Sequence, residues 1–184
     1  MPTPTAARLK AFRLKRDKAS NYPHRVFVRW NAVISITDAS VSATLISAVP
    51  PLQQGDSISG SGIATGATIG AITGLNITLS AVASNTIATN TVQITREVLQ
   101  ANGSRPWVQT LSEQDRLLIT DGRSIDPTYR VFINQSESLL PIIRTDIQWL
   151  IQFAPSPDKA KMRSVIPIKQ DARQISWQVF LEKE

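Results

Sequence analysis

The chain has 184 residues, contains no cysteine and carries a formal net charge of +6. This length suits one domain, or one domain with a smaller inserted module, and it is enough to bury a sizeable core. The lack of cysteine excludes disulfides, thiolate catalysis and Cys-based metal sites. The sequence has no run of about 18 apolar residues and no apolar segment after its basic start, so we expect neither a transmembrane helix nor a secretory signal.

The positive charge is concentrated near the N-terminus. Residues 1–30 contain eight basic residues and one acid, whereas residues 32–95 contain no lysine or arginine and only two acids, Asp38 and Asp56. From Arg96 onward, basic and acidic residues are nearly balanced. These differences in composition predict three parts: a basic N-terminal arm (1–20), a main β domain (21–31 and 96–184) and an inserted charge-poor β module (32–95).

The basic arm reads AARLKAFRLKRDKA over residues 6–19, and most of these residues are good helix formers. Its apolar stripe is thin, with Leu9 and Phe12 three residues apart. We expect a helix on a partner surface, an unfolded arm that docks onto a neighbouring subunit, or a solvated basic tail. Its cations are suited to nucleic-acid phosphates or to a protein partner. The candidate contact residues are Arg8, Lys10, Phe12, Arg13, Lys15, Arg16 and Lys18.

The remaining sequence predicts a mostly β fold. His24–Asn31 (HRVFVRWN) alternates strictly, which predicts a strand with Val26, Val28 and Trp30 on one face. Turn signals at spacings of about ten residues indicate a small β barrel or sandwich, with the module inserted as a second β unit. Further strands are predicted at 33–37, 42–47, 69–73, 77–79, 91–95, 107–111, 116–120, 129–134, 139–144, 147–153, 162–169 and 175–181.

Two features of the predicted sheet concern its edges. Pro167 cannot donate to a strand ladder, so it predicts an edge or bulge position in the strand at 162–169. The module at 32–95 lacks the charges that normally prevent sheet edges from pairing with other chains. We therefore expect its edges to be paired with a neighbouring molecule.

No residue set predicts an enzyme. The single histidine, His24, stands at the start of a strand, and we interpret it as structural rather than catalytic. Gly60, Gly62 and Gly66 resemble a phosphate loop only in spacing, because no helix-forming run and no Gly-Lys-Ser follow. We interpret them as tight β turns.

The acidic residues also favour structural roles. Asp121 and Asp126 flank a turn and are typical turn formers rather than metal ligands. Glu113 and Asp115 are the candidate acid–base pair, but we interpret them as part of a polar loop. A carbohydrate-processing enzyme would need convergent carboxylates, and none is indicated by spacing. We therefore predict no catalytic residue, no cofactor and no metal.

The segment GDSISGSGIATGATIGAITGLNITLS resembles a module that recurs in virion proteins of tailed bacteriophages and also in bacterial surface proteins. That module reads approximately G-x-x-V-x-G-x-G-I-x-x-G-T-x-I, followed by an N-x-I-T-L-S strand. The matching residues of the first part are Gly55, Ile58, Gly60, Gly62, Ile63, Gly66 and Ile69, with Thr68 one position after the threonine of the motif. Those of the second part are Ile77, Thr78, Leu79 and Ser80, with Asn76 directly before them. The whole module is about a third of the chain.

The flanking parts resemble phage neck proteins of the head-closure type, which are small β barrels that assemble as rings in the head–tail channel. The similarity lies in a first strand like HRVFVRW and in late strands such as WLIQF and WQVFLE. The insertion at 32–95 departs from the compact members of that family. No functional residue is transferred from it.

These resemblances imply a non-enzymatic structural protein of a phage particle, made in the host cytoplasm and located in the virion. We expect it to form homo-oligomers and to contact a portal or adaptor, tail or major capsid protein, with packaged DNA as a further candidate and no membrane. A neck connector is the first expectation and a capsid cement or decoration protein the second, ahead of a baseplate component. The alternative from another class is a nucleic-acid-binding module that acts through the basic arm.

Overall fold

The computed structural model describes residues 25–99, 103, 105–111, 128–133, 144, 146–152, 158–170 and 173–184. The described residues form strands and turns and include no helix. The strands are β1 (Arg25–Ile36), β2 (Ser42–Ala48), β3 (Ser57–Ser59), β4 (Ile69–Thr73), β5 (Asn76–Leu79), β6 (Ile87–Glu97), β7 (Trp107–Thr110), β8 (Tyr129–Ile133), β9 (Gln148–Gln152), β10 (Asp158–Gln170) and β11 (Arg173–Lys183). The prediction of a mostly β fold is confirmed.

Parts of the sequence-based prediction fall on other residues. The basic arm and its possible helix lie outside the described residues. So does the strand predicted at 116–120, and so do all but the last residue of the strand predicted at 139–144.

The eleven strands belong to one antiparallel sheet, which does not close into a barrel. Its main path runs β4-β5-β2-β1-β9-β10-β11-β8-β7, and β6 pairs with both β1 and β3. Strands β3 and β4 approach each other through one isolated bridge, between Ser57 and Thr68. Nearby, the amide of Ile58 donates to the carbonyl of Ala67 at 3.0 Å. The strands of the charge-poor module therefore curve around a shared interior.

The long strand β1 joins the two predicted parts of the chain. Its first residues pair with β9, its last residues pair with β2, and β6 pairs along the opposite edge. The predicted boundaries after residues 31 and 95 lie inside β1 and β6, which continue through them without a break. The division into domains stays a prediction, but the two parts share strands.

The core explains why β1 forms here. Val26, Val28 and Trp30 are buried, as the alternation predicted, and the burial continues on alternate residues to Ile36. One hydrophobic cluster contains buried residues from both parts of the chain, and Trp149 is its largest fully buried member. Each such side chain contributes roughly 1.5–3 kcal/mol when it is fully buried.

The late strands explain how the chain accommodates its proline. Pro167 pairs with Trp177 in the β10–β11 ladder. On the other side of β10, β9 pairs only with residues 158–161, so β11 is the one described neighbour of Pro167. The ladder also shifts register between Ile168 and Lys169. An edge or bulge position is what the missing amide proton of proline requires.

Candidate interaction surface

The residues predicted to contact nucleic acid or a partner all precede β1. They lie outside the described residues, so their role stays a prediction: Arg8, Lys10, Phe12, Arg13, Lys15, Arg16 and Lys18. The polar residues interpreted as structural lie outside them as well: His24, Glu113, Asp115, Asp121 and Asp126.

Within the described part of the chain, no three His, Cys, Asp or Glu side chains come together as a metal site would require. None of the described residues belongs to a helix with the length and apolarity needed to span a membrane.

The glycine-rich segment forms turns, as the sequence indicated. Gly62 has a φ of +71° and Gly66 a φ of +79°, a left-handed conformation that glycine adopts without steric cost. The amide of Ile63 donates back to the carbonyl of Gly60 at 3.3 Å, and the amide of Ala67 donates to that of Ala64 at 3.1 Å. These bonds close two consecutive tight turns between β3 and β4.

A buried ion pair holds the turn before β3 against β6. Arg96 donates from Nε to Asp56 Oδ1 and from Nη2 to Asp56 Oδ2, both at 2.7 Å. The Asp56 side chain is only 2% exposed and that of Arg96 13%. Asp56 Oδ2 also accepts a bond from the amide of Gln53, and Arg96 donates to the carbonyl of Pro51. Because the pair is bidentate and further hydrogen-bonded, both charges are well satisfied.

The Arg96 guanidinium also lies over the Trp30 ring, 4.9 Å from its centroid. The ion pair thus links β1, β6 and the 51–56 turn. Sequence reasoning missed it, although a signal was present. Asp56 is one of two charges in a stretch of 64 residues, and a lone charge among apolar neighbours needs a partner when it is buried.

With Asp56 neutralised by Arg96, Asp38 is the only exposed charge between residues 32 and 95, all of which the structure describes. The rest of this surface consists mainly of Ser, Thr, Asn, Gly and small apolar residues. An approaching neutral surface could therefore contact it without burying a charge.

Several large apolar side chains are exposed on the same region. Of the eight exposed large apolar residues in the described part of the chain, six lie between Val41 and Val82. Two of them lie where the β4–β5 turn meets β2, and we call them the apolar patch: Ile46 and Leu75. They are 53% and 64% exposed.

The backbone explains how the apolar patch forms. The amide of Leu45 donates to the carbonyl of Leu75 at 2.7 Å, which brings the β4–β5 turn against β2. The register of the β1–β2 ladder shifts between Val33 and Ile34. Ile46 is therefore the extra residue of a bulge in β2. Leu45 packs on the core while Ile46 projects to solvent.

Beside the apolar patch, β4 lies at the end of the sheet. One edge pairs with β5, and on the other Ile69 exchanges backbone hydrogen bonds with Gly55 and Asp56. After Gly70, β4 has no second strand partner among the described strands. A short uncharged edge therefore adjoins exposed apolar side chains, a combination suited to contact with another chain.

The surface of the remaining strands is different, because it carries several ion pairs. Arg25 forms two hydrogen bonds with Glu97, and Arg105 lies 3.6 Å from the same carboxylate. The hydrogen bond from Arg25, with the charges of Arg25 and Arg105, lowers the pKa of Glu97. Similar pairs join Lys183 to Asp158 and Arg163 to Glu182. A partner for these strands would have to displace or desolvate existing ion pairs.

Comparison of the chain with family models, with curated proteins and with solved structures finds no match. The resemblance to phage virion proteins therefore stays a prediction.

Proposed function

We propose that this protein is a non-enzymatic structural component of a tailed-phage particle, which self-assembles and docks onto other virion proteins. The proposal is supported by the surface of the module at 32–95. This surface has one exposed charge, and its apolar patch lies beside an uncharged sheet edge. Exposed apolar surface of this kind marks protein–protein contact more often than catalysis.

A neck connector of the head-closure type is the position that we propose within the particle. It is supported by the resemblance of the first and last strands to that family, and the basic arm suits a site near packaged DNA or an acidic portal rim. Capsid decoration is the alternative, in which the basic arm would join neighbouring capsomers.

The proposal is tested by size-exclusion chromatography with light scattering on the full chain, together with cryo-electron microscopy of the particle. We expect an oligomer in solution and density for this chain in the neck. Density on the capsid surface would select the decoration role instead. A protein that stays monomeric at high concentration and is absent from purified particles would overturn both.

A further inference from the structure

A row of polar residues crosses the face of the sheet opposite the core. Arg29 points to this face, because its neighbours Val28 and Trp30 are buried on the other one. Arg29 lies directly opposite Thr95 of β6 on one side and Gln148 of β9 on the other. Directly opposite residues in antiparallel strands share a face, with their Cβ atoms about 5 Å apart.

The row continues over two more strands and is flanked by similar residues. Thr95 pairs with Ser57 of β3, and Gln148 pairs with Lys161 of β10. Five strands thus present hydroxyl, amide and cationic groups side by side, and we call this set the polar row: Ser57, Thr95, Arg29, Gln148 and Lys161. The adjoining positions on β1, β6 and β3 are also polar and exposed: Asn31, Gln93 and Ser59.

Arg29 is the charge in the polar row that has no counter-charge among the described residues. Lys161 lies 3.1 Å from Glu184, whose other carboxylate oxygen accepts the side-chain amide of Gln148 at 2.8 Å. Arg29 has no ion-pair partner among the described residues, and its side chain is partly exposed. Because a guanidinium donates strong hydrogen bonds to phosphate and carboxylate oxygens, Arg29 is a candidate site for an external acceptor.

We propose that the polar row, centred on Arg29, binds the backbone phosphates of a nucleic acid. Phosphate contacts in such complexes come from arginine together with Ser, Thr, Asn and Gln side chains, the groups found here. A polyanion presents several acceptors to such a set of neutral and cationic donors, whereas one carboxylate of a protein partner would use Arg29 alone.

The test measures binding of the full chain to a double-stranded DNA oligonucleotide by fluorescence anisotropy over a range of salt concentrations. Arg29→Gln is expected to weaken binding by about fivefold to tenfold near 0.1 M salt and to lower the salt slope by about 0.9, the value of one phosphate contact. Ser57→Glu, at an exposed position, is expected to weaken binding as well because it adds a negative charge to the row.

Lys183→Gln is the matched control, because it also removes one positive charge from the sheet. Glu182 lies directly opposite Lys161 and so faces the polar row, which places the adjacent Lys183 on the other face. The Lys183→Gln variant is expected to leave the salt slope unchanged. Thermal unfolding checks that each variant is folded. If Arg29→Gln does not fold, the DNA binding of Ser57→Glu tests the proposal instead. The proposal is overturned if the folded Arg29→Gln and Ser57→Glu variants bind DNA with the affinity and the salt slope of the wild type. It is also overturned if these variants lose binding to poly-glutamate but not to DNA, which would assign Arg29 to an acidic protein partner.

Discussion

The strands β2 to β5 and the strands β9 to β11 share one core but differ in their surfaces. The stretch from 37 to 82, which contains the first set, has a single exposed charge and six exposed large apolar residues, and its Asp56 forms a buried ion pair with Arg96 of β6. The second set carries lysines, arginines and carboxylates that pair with one another in water. Since both sets bury side chains in the same cluster, packing does not explain the difference. We propose that the difference reflects what each surface meets, which is another chain for the first set and water for the second.

The largest expected effect separates the buried ion pair from an exposed one. Asp56→Asn leaves the mostly buried Arg96 guanidinium without a counter-charge, and we expect it to lower the free energy of unfolding by about 3 kcal/mol. Glu182→Gln breaks the exposed pair with Arg163 and should cost less than about 1 kcal/mol. Urea unfolding of both variants measures the difference. Equal losses would contradict the assignment of Arg96–Asp56 as the main electrostatic link of the module.

A smaller effect concerns the turns of the module. Gly62→Ala places a Cβ 1.8 Å from Asn85 Oδ1 and 3.0 Å from Ile36 Cδ1, in addition to the strain of a positive φ. Gly66→Ala has the same strain, but nothing lies within 4 Å of its Cβ. We expect losses of about 2 and about 1 kcal/mol in urea unfolding, the larger because Asn85 must rotate and the buried Ile36 must shift. A greater loss for Gly66→Ala would show that the turn at Gly62 relaxes freely.

The smallest stability effect depends on pH. The pKa of Glu97 in the folded protein is lowered by Arg25, so its stabilisation is present above the unfolded value of 4.5 and disappears as the pH falls through the lower folded value. Glu97→Gln should therefore lose less than about 1 kcal/mol at neutral pH and should show a weaker acid dependence than the wild type. Asp38→Asn, at an exposed carboxylate of the module, is the control. Identical acid unfolding curves for Glu97→Gln and the wild type would refute this role for the Arg25–Glu97 pair.

Local patterns in the sequence predicted much of the sheet. Strict alternation located β1, and runs of β-branched residues located β4 and β5 within a residue of their observed bounds. The composition change at residue 31 led to two predicted strands where the structure has one, because a continuous strand can pass from a charged to an uncharged environment. Strand β3 was missed because its three residues are held by β6, far along the chain.

The interaction sites could not be predicted from the sequence, because they depend on the register of strands that are far apart along the chain. Leu45 and Ile46 are adjacent and both apolar, and only the bulge opposite Val33 and Ile34 decides which of them is exposed. The pairing of Asp56 with Arg96 spans 40 residues. The isolation of Arg29 is likewise invisible in the sequence, since it depends on which residues of other strands lie beside it.

The most direct test of the central claim is to place charge on the apolar patch and measure the mass of the protein in solution. In the double variant Ile46→Lys with Leu75→Lys, both positions are more than half exposed, so the fold should be retained. Ile166→Lys, at a similarly exposed apolar residue of β10, is the matched control. Light scattering across a concentration series should show that the double variant needs at least about tenfold more protein to associate, while the control behaves as the wild type. Wild-type association of the double variant would contradict the claim that this surface joins the protein to its copies.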